Sequence, residues 1–203
     1  MTTRLYLVRH GVTKWNDERR FQGHSDVPLS ELGRLQAEKV ARRLRGIELD
    51  AVYSSDLTRA IDTARFIAEQ HRLPVIQLKE LREIDFGEWE GKEFERLLEE
   101  QSELVERWLY DSVNNPIPGG ESYTELRDRV IPKVLEIIRT HQGSSVCIVA
   151  HSGPIKLTLC HVLGLEPSER RRFDLANASL SMITYTDDTK LRVSFLNDTC
   201  HLD

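Results

Sequence analysis

The sequence predicts an α/β fold: a three-layer α/β/α sandwich with a mostly parallel central sheet and a helical insertion. Short apolar runs typical of buried strands alternate with longer segments in which apolar residues recur at helical spacing. This alternation favours a parallel sheet covered by helices on both faces. Between Glu88 and Gly120 the alternation stops, and the glutamate-rich segment there predicts the insertion, which ends in an irregular Asn-, Pro- and Gly-rich loop.

Each element is assigned from its own local pattern. In the predicted helix 31–45, the apolar residues Leu32, Leu35, Val40, Ala41 and Leu44 recur at helical spacing behind Ser30, which is suited to cap the helix. A tight Asp187–Asp188 turn is expected to join the last two strands. The predicted strands are residues 5–8, 51–53, 74–78, 145–150, 179–186 and 191–196. The predicted helices are residues 31–45, 56–70, 123–141 and 154–163, with further helix within 88–110.

Composition excludes several classes of protein. The chain has 203 residues and a net charge of −5, with 21 Arg against 7 Lys. An acidic chain repels polyanions, so we expect no nucleic-acid partner and no membrane partner. It has no long apolar stretch and no signal-peptide pattern at its start. Cys147, Cys160 and Cys200 lack C-x-x-C spacing and suit free thiols in a reducing compartment, so the sequence predicts a cytoplasmic protein. The length of the chain predicts one domain over residues 1–203.

Two predicted strands run directly into a histidine. Residues 5–9 lead to His10 and residues 145–150 lead to His151, each followed within two residues by a glycine. Ligands of open α/β sheets bind at the carboxyl ends of strands. Either histidine alone is better explained as a hydrogen-bonded structural residue. Two at equivalent strand ends, one of them preceded by Arg9, favour a shared anion site.

Two further strand ends add charged side chains. Arg59 lies in the first turn of the helix after the second strand, on the same side of the sheet as the histidines. Glu83 follows the third strand and lies between Leu81 and Ile84, one of which must be buried. A carboxyl group held against apolar surface is suited to serve as a proton donor.

Five sequence blocks together resemble the histidine phosphatase superfamily, also called phosphoglycerate mutase-like. They are residues 7–16 (LVRHGVTKWN), 21–23 with 26–33, 53–60 with 63–64, 81–91, and 149–153. They occur in the family's order and are spread over almost the whole chain. Arg-His-Gly alone is a weak signal, whereas five ordered blocks are a specific one.

The resemblance implies a role for each matching residue. His10 would be the nucleophile, and Glu83 would protonate the leaving oxygen and then activate water. Arg9, Arg59 and a cationic His151 would surround the phosphate oxygens and stabilise them without a metal. Further hydrogen bonds to the phosphate would come from Asn16 and from the Gln22–Gly23 loop.

Several further features are less specific. Many family members carry glycine where this chain has Ser152, which is expected to narrow the pocket. The C-terminal tail is predicted to fold back so that His201 contacts the substrate. No metal-binding or nucleotide-binding motif occurs, so no metal and no cofactor are expected. The glutamates of residues 88–106 predict an exposed helix face. The remaining histidines are interpreted as surface or packing residues: His24, His71, His141 and His161.

The family includes phosphatases and mutases. Its mutases usually carry additional basic residues in the insertion, whereas here Arg96 and Arg107 are the only arginines between Glu88 and Gly120. The sequence therefore predicts a phosphatase acting on a small phosphorylated metabolite, with α-ribazole 5'-phosphate one candidate substrate. The alternatives are a phosphoserine phosphatase, a cofactor-dependent phosphoglycerate mutase and a phospho-ligand binding module without catalysis. A homodimer is compatible with the sequence.

Overall fold

Six strands form one mixed sheet in the computed structural model, which describes residues 1–186 and 190–203. They are β1 (Thr2–Arg9), β2 (Ala51–Ser55), β3 (Val75–Leu78), β4 (Ser145–Ala150), β5 (Leu180–Thr186) and β6 (Leu191–Asp198). In the sheet these strands lie in the order β3-β2-β4-β1-β5-β6. The pairs β1–β4, β2–β4 and β2–β3 are parallel, whereas β5 is antiparallel to β1 and β6. The predicted Asp187–Asp188 turn lies outside the described residues.

Helices cover both faces of this sheet. Along β1 and β4, side chains alternate between the two faces, as the period of a strand requires. Leu5 and Ile148 join a core with α6 (Tyr123–Thr140) and α7 (Ser152–Leu163), whereas Val8 and Val149 join a second core with α2 (Glu31–Leu44) and α3 (Thr58–His71). The helices are α1 (Lys14–Asp17), α2 (Glu31–Leu44), α3 (Thr58–His71), α4 (Phe94–Glu100), α5 (Ser102–Asp111), α6 (Tyr123–Thr140) and α7 (Ser152–Leu163).

The predicted fold class is confirmed, with one correction to a helix face. Leu32 and Leu35 are 55% and 56% exposed, so they do not belong to the buried stripe of α2. The buried stripe is Gly33, Ala37, Val40, Ala41 and Leu44. The glycine is part of it because its backbone packs tightly on Val12: a Cβ there would lie 2.0 Å from the Val12 carbonyl oxygen. That close approach turns the two leucines towards solvent.

The predicted insertion has a small core of its own. A short 3-10 turn (Gly87–Trp89) precedes α4 and α5, and Trp89, Leu97, Val105 and Ile117 are buried together. Phe21 and Phe86 pack against this cluster with ring centroids 5.0 Å apart. The insertion is thereby attached to the segment that follows β1. In the parts of the chain that the structure describes, no helix is long and apolar enough to cross a membrane.

Candidate active site

The end of β1 places His10 at the carboxyl edge of the sheet. Its backbone N–H donates to the carbonyl of Ala150, the last residue of the neighbouring parallel strand β4. Its ring Nδ1 lies 2.7 Å from the carbonyl oxygen of Gly11. A carbonyl only accepts, so Nδ1 carries the proton and donates it there. The neutral ring is thus held with Nε2 unprotonated, which is the form that a nucleophile needs.

The same surroundings keep the His10 ring neutral. Burial, and then the positive charges of Arg59 and Arg9, hold the pKa of His10 well below its ordinary value of 6.5. A histidine with a lowered pKa stays unprotonated as the pH falls through 6.5, so the nucleophilic form persists on the acid side of neutrality.

This pKa shift can be measured without substrate. In ¹⁵N NMR titrations of the free protein, the His10 ring signals are expected to remain those of the neutral Nδ1–H tautomer while free imidazole in the same sample titrates. The signals are assigned by their loss in the His10→Gln variant. A His10 signal that titrates at or above pH 6.5 would contradict the assigned state.

His151 is fully buried beside this ring, with ring centroids 5.0 Å apart. Arg59 Nε donates to its Nδ1 at 3.3 Å, so Nδ1 accepts and the proton lies on Nε2. Burial, followed by the charges of Arg59, His10 and Arg9, lowers the pKa of His151 well below its usual value. The expectation of a cationic His151 is therefore wrong, because the ring is neutral in this structure. Its buried Nε2–H has no partner among the described residues and is a neutral donor available to a ligand.

Arg59 is fully buried behind the two histidines. Its Nη1 and Nη2 donate to the carbonyl oxygens of Ser25 and Gly23 at 2.8 and 2.7 Å. Burial lowers its pKa to about 10, which leaves the guanidinium charged at neutral pH. The structure thus places Arg59 next to His151 as the sequence predicts, but most of its donors hold the loop of residues 22–25.

Arg9, unlike Arg59, lines the cavity directly. Its Nη1 donates to the carbonyl oxygen of Leu175 at 2.5 Å, which orients the guanidinium, while its buried Nε has no partner among residues 1–186 and 190–203. Burial lowers the pKa of Arg9 as well. An anion in the cavity would pair with this partly desolvated charge.

The predicted Asn16 and Gln22 also line the cavity. Asn16 closes a capping box at the start of α1, in which its Oδ1 accepts from the backbone N–H of Thr13 at 3.0 Å. With its amide oriented to suit both neighbours, Gln22 donates to Thr13 Oγ1 and accepts from Arg59. Gly23 lies against the backbone of Ile84, where a Cβ would come within 2.5 Å of the carbonyl oxygen.

Two residues that support this loop were missed by the sequence analysis. Glu90, assigned to an exposed face, accepts hydrogen bonds at 2.6 Å from the backbone N–H groups of His24 and Ser25. The His24 ring lies 3.0 Å from the carbonyl oxygen of Glu83. These partners are about sixty residues apart, and no local pattern in the sequence connects them.

Glu83 is buried where the cavity meets the start of α7. Its Oε1 accepts from the backbone N–H of Ile84 at 2.9 Å and from that of Gly153 at 3.0 Å. Oε2 is 3.2 Å from the same Gly153 N–H. The carboxyl group is therefore oriented by two backbone donors on different elements, within the wall of the cavity that also contains His10.

Gly153 offers a test of how closely this carboxyl group is held. A Cβ at this position would lie 2.2 Å from Glu83 Oε1 and 3.0 Å from Leu126 Cδ2, so Gly153→Ala is expected to displace the carboxyl group. We expect kcat to fall by about 10²–10⁴-fold, the usual contribution of a positioned proton donor. Steady-state kinetics measure this effect. Gly46→Ala is the matched control, because nothing lies within 4 Å of its Cβ position; equal activity of the two variants would contradict the assigned packing.

The comparisons with known proteins agree with this geometry. The sequence model of the Histidine phosphatase superfamily (branch 1) matches residues 5–199. The chain belongs to this superfamily. It is 37% identical to "Probable phosphoglycerate mutase GpmB" of Salmonella choleraesuis and to Phosphoserine phosphatase 1 of Hydrogenobacter thermophilus, each match covering 98% of this chain and 94% of the relative. The structure of the α-ribazole phosphatase from Shigella flexneri superposes with a TM-score of 0.89 at 28% identity, covering 96% of both chains.

Relatives named as phosphatases and as a mutase thus share this superfamily's fold with the chain. A phosphatase or mutase role follows, carried out by an enzyme of the histidine phosphatase superfamily. In the described ranges, no three His, Cys, Asp or Glu side chains group as metal ligands.

The cavity of this superfamily member is lined by more residues than its sequence motifs indicate. Its volume is about 280 Å³. Five lining residues were not predicted: Arg19, Arg20, Phe21, Phe86 and Phe94. Arg20 is already paired with Glu18 and Glu93, each at 2.6 Å, so it offers little to a ligand. The aromatic rings pack against the core of the insertion, and Phe94 belongs to the insertion itself, so the insertion contributes to one wall of the cavity.

Two predicted substrate contacts are placed outside this cavity. The His201 ring donates to the carbonyl oxygen of Ala178 at 2.9 Å, and the backbone N–H of Ala178 in turn donates to the His10 carbonyl. The tail therefore supports the turn behind His10. Asn177, which the sequence analysis missed, also donates to the His10 carbonyl at 3.1 Å. Ser152 begins α7 and lines a second cavity, next to Glu83.

Proposed function

We propose that this protein is a metal-independent phosphomonoesterase that hydrolyses small phosphate esters through a phosphohistidine intermediate. The observation that carries the proposal is the hydrogen bond from His10 Nδ1 to Gly11. It leaves Nε2 unprotonated on a ring that shares one cavity with Arg9 and Glu83. The nucleophile, a cation for the phosphoryl group and a carboxyl group for the leaving oxygen are thus brought together.

The proposed reaction has two steps. Nε2 of His10 attacks phosphorus while the ester P–O bond breaks, and the departing oxygen takes a proton from the Glu83 carboxyl group. The ionised Glu83 then takes a proton from water, and the resulting hydroxide attacks the phosphohistidine. The P–N bond breaks, inorganic phosphate leaves, and His10 and Glu83 return to their starting states.

Fixed positive charge supports both steps. The phosphoryl oxygens remain negative in the transition state, and preorganised donors stabilise that charge. Arg9 would contact the oxygens directly, and the unpartnered Nε2–H of His151 would add a neutral donor. Arg59 contributes a buried charge and holds the loop of Gly23 and Ser25 beside them.

The charged groups of the insertion favour hydrolysis over transfer between two positions of a phosphoglycerate. Arg96 pairs with Glu100 at 2.7 Å, and Arg107 bonds to Asn115. Neither arginine lines the His10 cavity. A phosphoserine phosphatase or a phosphoglycerate mutase remains the second candidate, because relatives with those names are 37% identical to the chain. We infer a small phosphorylated metabolite as substrate, with α-ribazole 5'-phosphate among the candidates.

Trapping the intermediate tests the proposal. Rapid mixing with a phosphate ester in excess chelator, followed by alkaline denaturation, is expected to give protein that carries one phosphoryl group. Phosphohistidine survives base and is lost in acid, so peptide mass spectrometry should map the group to the peptide that contains His10. The His10→Gln variant is the blank. Turnover that chelation abolishes, or turnover by the parent with no phosphorylated His10 peptide, would refute the mechanism.

A further inference from the structure

A second cavity adjoins the first across Glu83. It has a volume of about 220 Å³ and shares Glu83 and Phe86 with the His10 cavity. Because Glu83 faces the leaving oxygen in the proposed reaction, the part of the substrate beyond that oxygen would extend into this second cavity. The chemical groups that this second cavity recognises would therefore determine which leaving group the enzyme accepts.

Three cations line this second cavity: Lys156, Arg170 and Arg171. Lys156 makes no hydrogen bond and no ion pair within the described ranges, and Arg170 and Arg171 have no carboxylate partner there. The one carboxylate in the wall is Glu83, whose oxygens already accept from two backbone N–H groups. The wall therefore carries three cations and one carboxylate, with Asp174 as a further, longer-range countercharge to Lys156.

Arg170 is held by the fold rather than free to turn away, whereas Arg171 is exposed and its guanidinium lies 3.4 Å from Ser112 Oγ. Arg170 donates to Ser112 Oγ at 2.5 Å and to the carbonyl of Pro167 at 3.1 Å, and its guanidinium lies 3.5 Å from the Tyr123 ring centroid. Lys156 is half-buried on α7, and burial lowers its pKa. Trp108, in the same wall, has a buried indole N–H with no acceptor in the described part of the chain. An anion bound here would neutralise the desolvated positive charge of the wall and accept a hydrogen bond from the indole N–H of Trp108.

We propose that this cavity, lined by Lys156, Arg170 and Arg171, is a second anion site that binds a carboxylate on the leaving group of the substrate. The inference rests on the proposed function and narrows its substrate class to phosphate monoesters of hydroxy acids. Esters that lack the carboxylate would still bind through the phosphoryl group but would leave the three cations unpaired.

Matched pairs of esters test the site. 3-Phosphoglycerate is compared with glycerol 3-phosphate, and O-phosphoserine with O-phosphoethanolamine, so that each pair differs chiefly in its carboxylate. We expect the parent to favour the carboxylate ester of each pair by about 10- to 100-fold in kcat/KM, the range of a charge-assisted hydrogen bond. Lys156→Gln and Arg171→Gln should each lower that ratio severalfold, through KM more than kcat. Arg172→Gln is the control, because it removes the same charge from a neighbouring residue that does not line the cavity.

Calorimetric binding of the same esters to the His10→Ala variant gives a readout that needs no turnover. The affinity ratio within each pair should fall when Lys156→Gln is added. A parent that prefers neither ester, or a ratio that Arg172→Gln lowers as much as Lys156→Gln, would overturn the second anion site. Absence of phosphate release from every ester would overturn the proposed function instead, and the affinity ratio would then decide the second site alone.

Discussion

The His10→Ala variant is expected to lose at least about 10⁴-fold in kcat/KM toward phosphate monoesters, because the covalent route depends on one ring nitrogen. In the structure that nitrogen is Nε2, left unprotonated by the hydrogen bond from Nδ1 to Gly11 at 2.7 Å. No other described side chain in the cavity offers a neutral imidazole nitrogen of this kind, since His151 has its Nδ1 bound to Arg59 and its proton on Nε2. Initial-rate kinetics with phosphate release as the readout measure the loss.

His161→Ala is the matched control for this variant. His161 is exposed on α7, so its removal changes the same side chain without touching the cavity. Its rate should stay within about twofold of the parent, which surface substitutions permit. Thermal unfolding of both variants separates a loss of activity from a loss of structure. A folded His10→Ala protein that retains more than a tenth of parental kcat/KM would rule His10 out as nucleophile.

Glu83→Gln is expected to discriminate between leaving groups. The amide keeps an oxygen that can accept from Ile84 and Gly153 but has no acidic proton to transfer. For an alkyl ester, whose departing oxygen needs a proton, kcat/KM should fall by about 10²–10⁴-fold. For 4-nitrophenyl phosphate the phenolate leaves unprotonated, so kcat/KM should fall by less than about tenfold.

Hydrolysis of the phosphohistidine, the second step of the proposed reaction, tests the role of Glu83 in proton transfer independently. Without a base to activate water, the variant should accumulate phosphoenzyme, so that stopped-flow mixing with 4-nitrophenyl phosphate shows a burst of nitrophenolate followed by a slow phase. Glu88→Gln, at an exposed position five residues further along the chain, should behave as the parent. Equal losses for alkyl and aryl esters in Glu83→Gln would show that Glu83 is not the proton donor.

The strand ends of the site were predictable from sequence because their signals are local. Residues 145–150 form an unbroken buried strand, and β4 has those bounds in the structure. Since β1 and β4 are parallel neighbours, the histidines that follow them meet at one edge of the sheet. The glycines beside them are explained by close packing: a Cβ on Gly11 would lie 2.4 Å from the Gly33 carbonyl oxygen.

The supports of the site were not predictable, since they join distant segments. Glu90 was assigned to an exposed face because a glutamate-rich helical pattern normally is solvated, yet it accepts from Ser25, 65 residues away. Asn177 reaches the His10 carbonyl across 167 residues. Leu32 and Leu35 fitted a helical stripe equally well in the sequence, and only the contact of Gly33 with Val12 determined which side of α2 is buried.

By itself the sequence determined the order of strands and helices, the superfamily and the residue types gathered at the carboxyl edge of the sheet, because periodicity and short motifs are properties of neighbouring residues. Only the tertiary structure decided the protonation of His10 and His151, the engagement of Arg59 with its loop, and the second cavity beside Glu83. Charge states and cavities depend on burial and on contacts between residues such as Arg59 and His151, which are 92 positions apart. The family resemblance implies a cationic His151, whereas burial and the charge of Arg59 lower its pKa and keep the ring neutral.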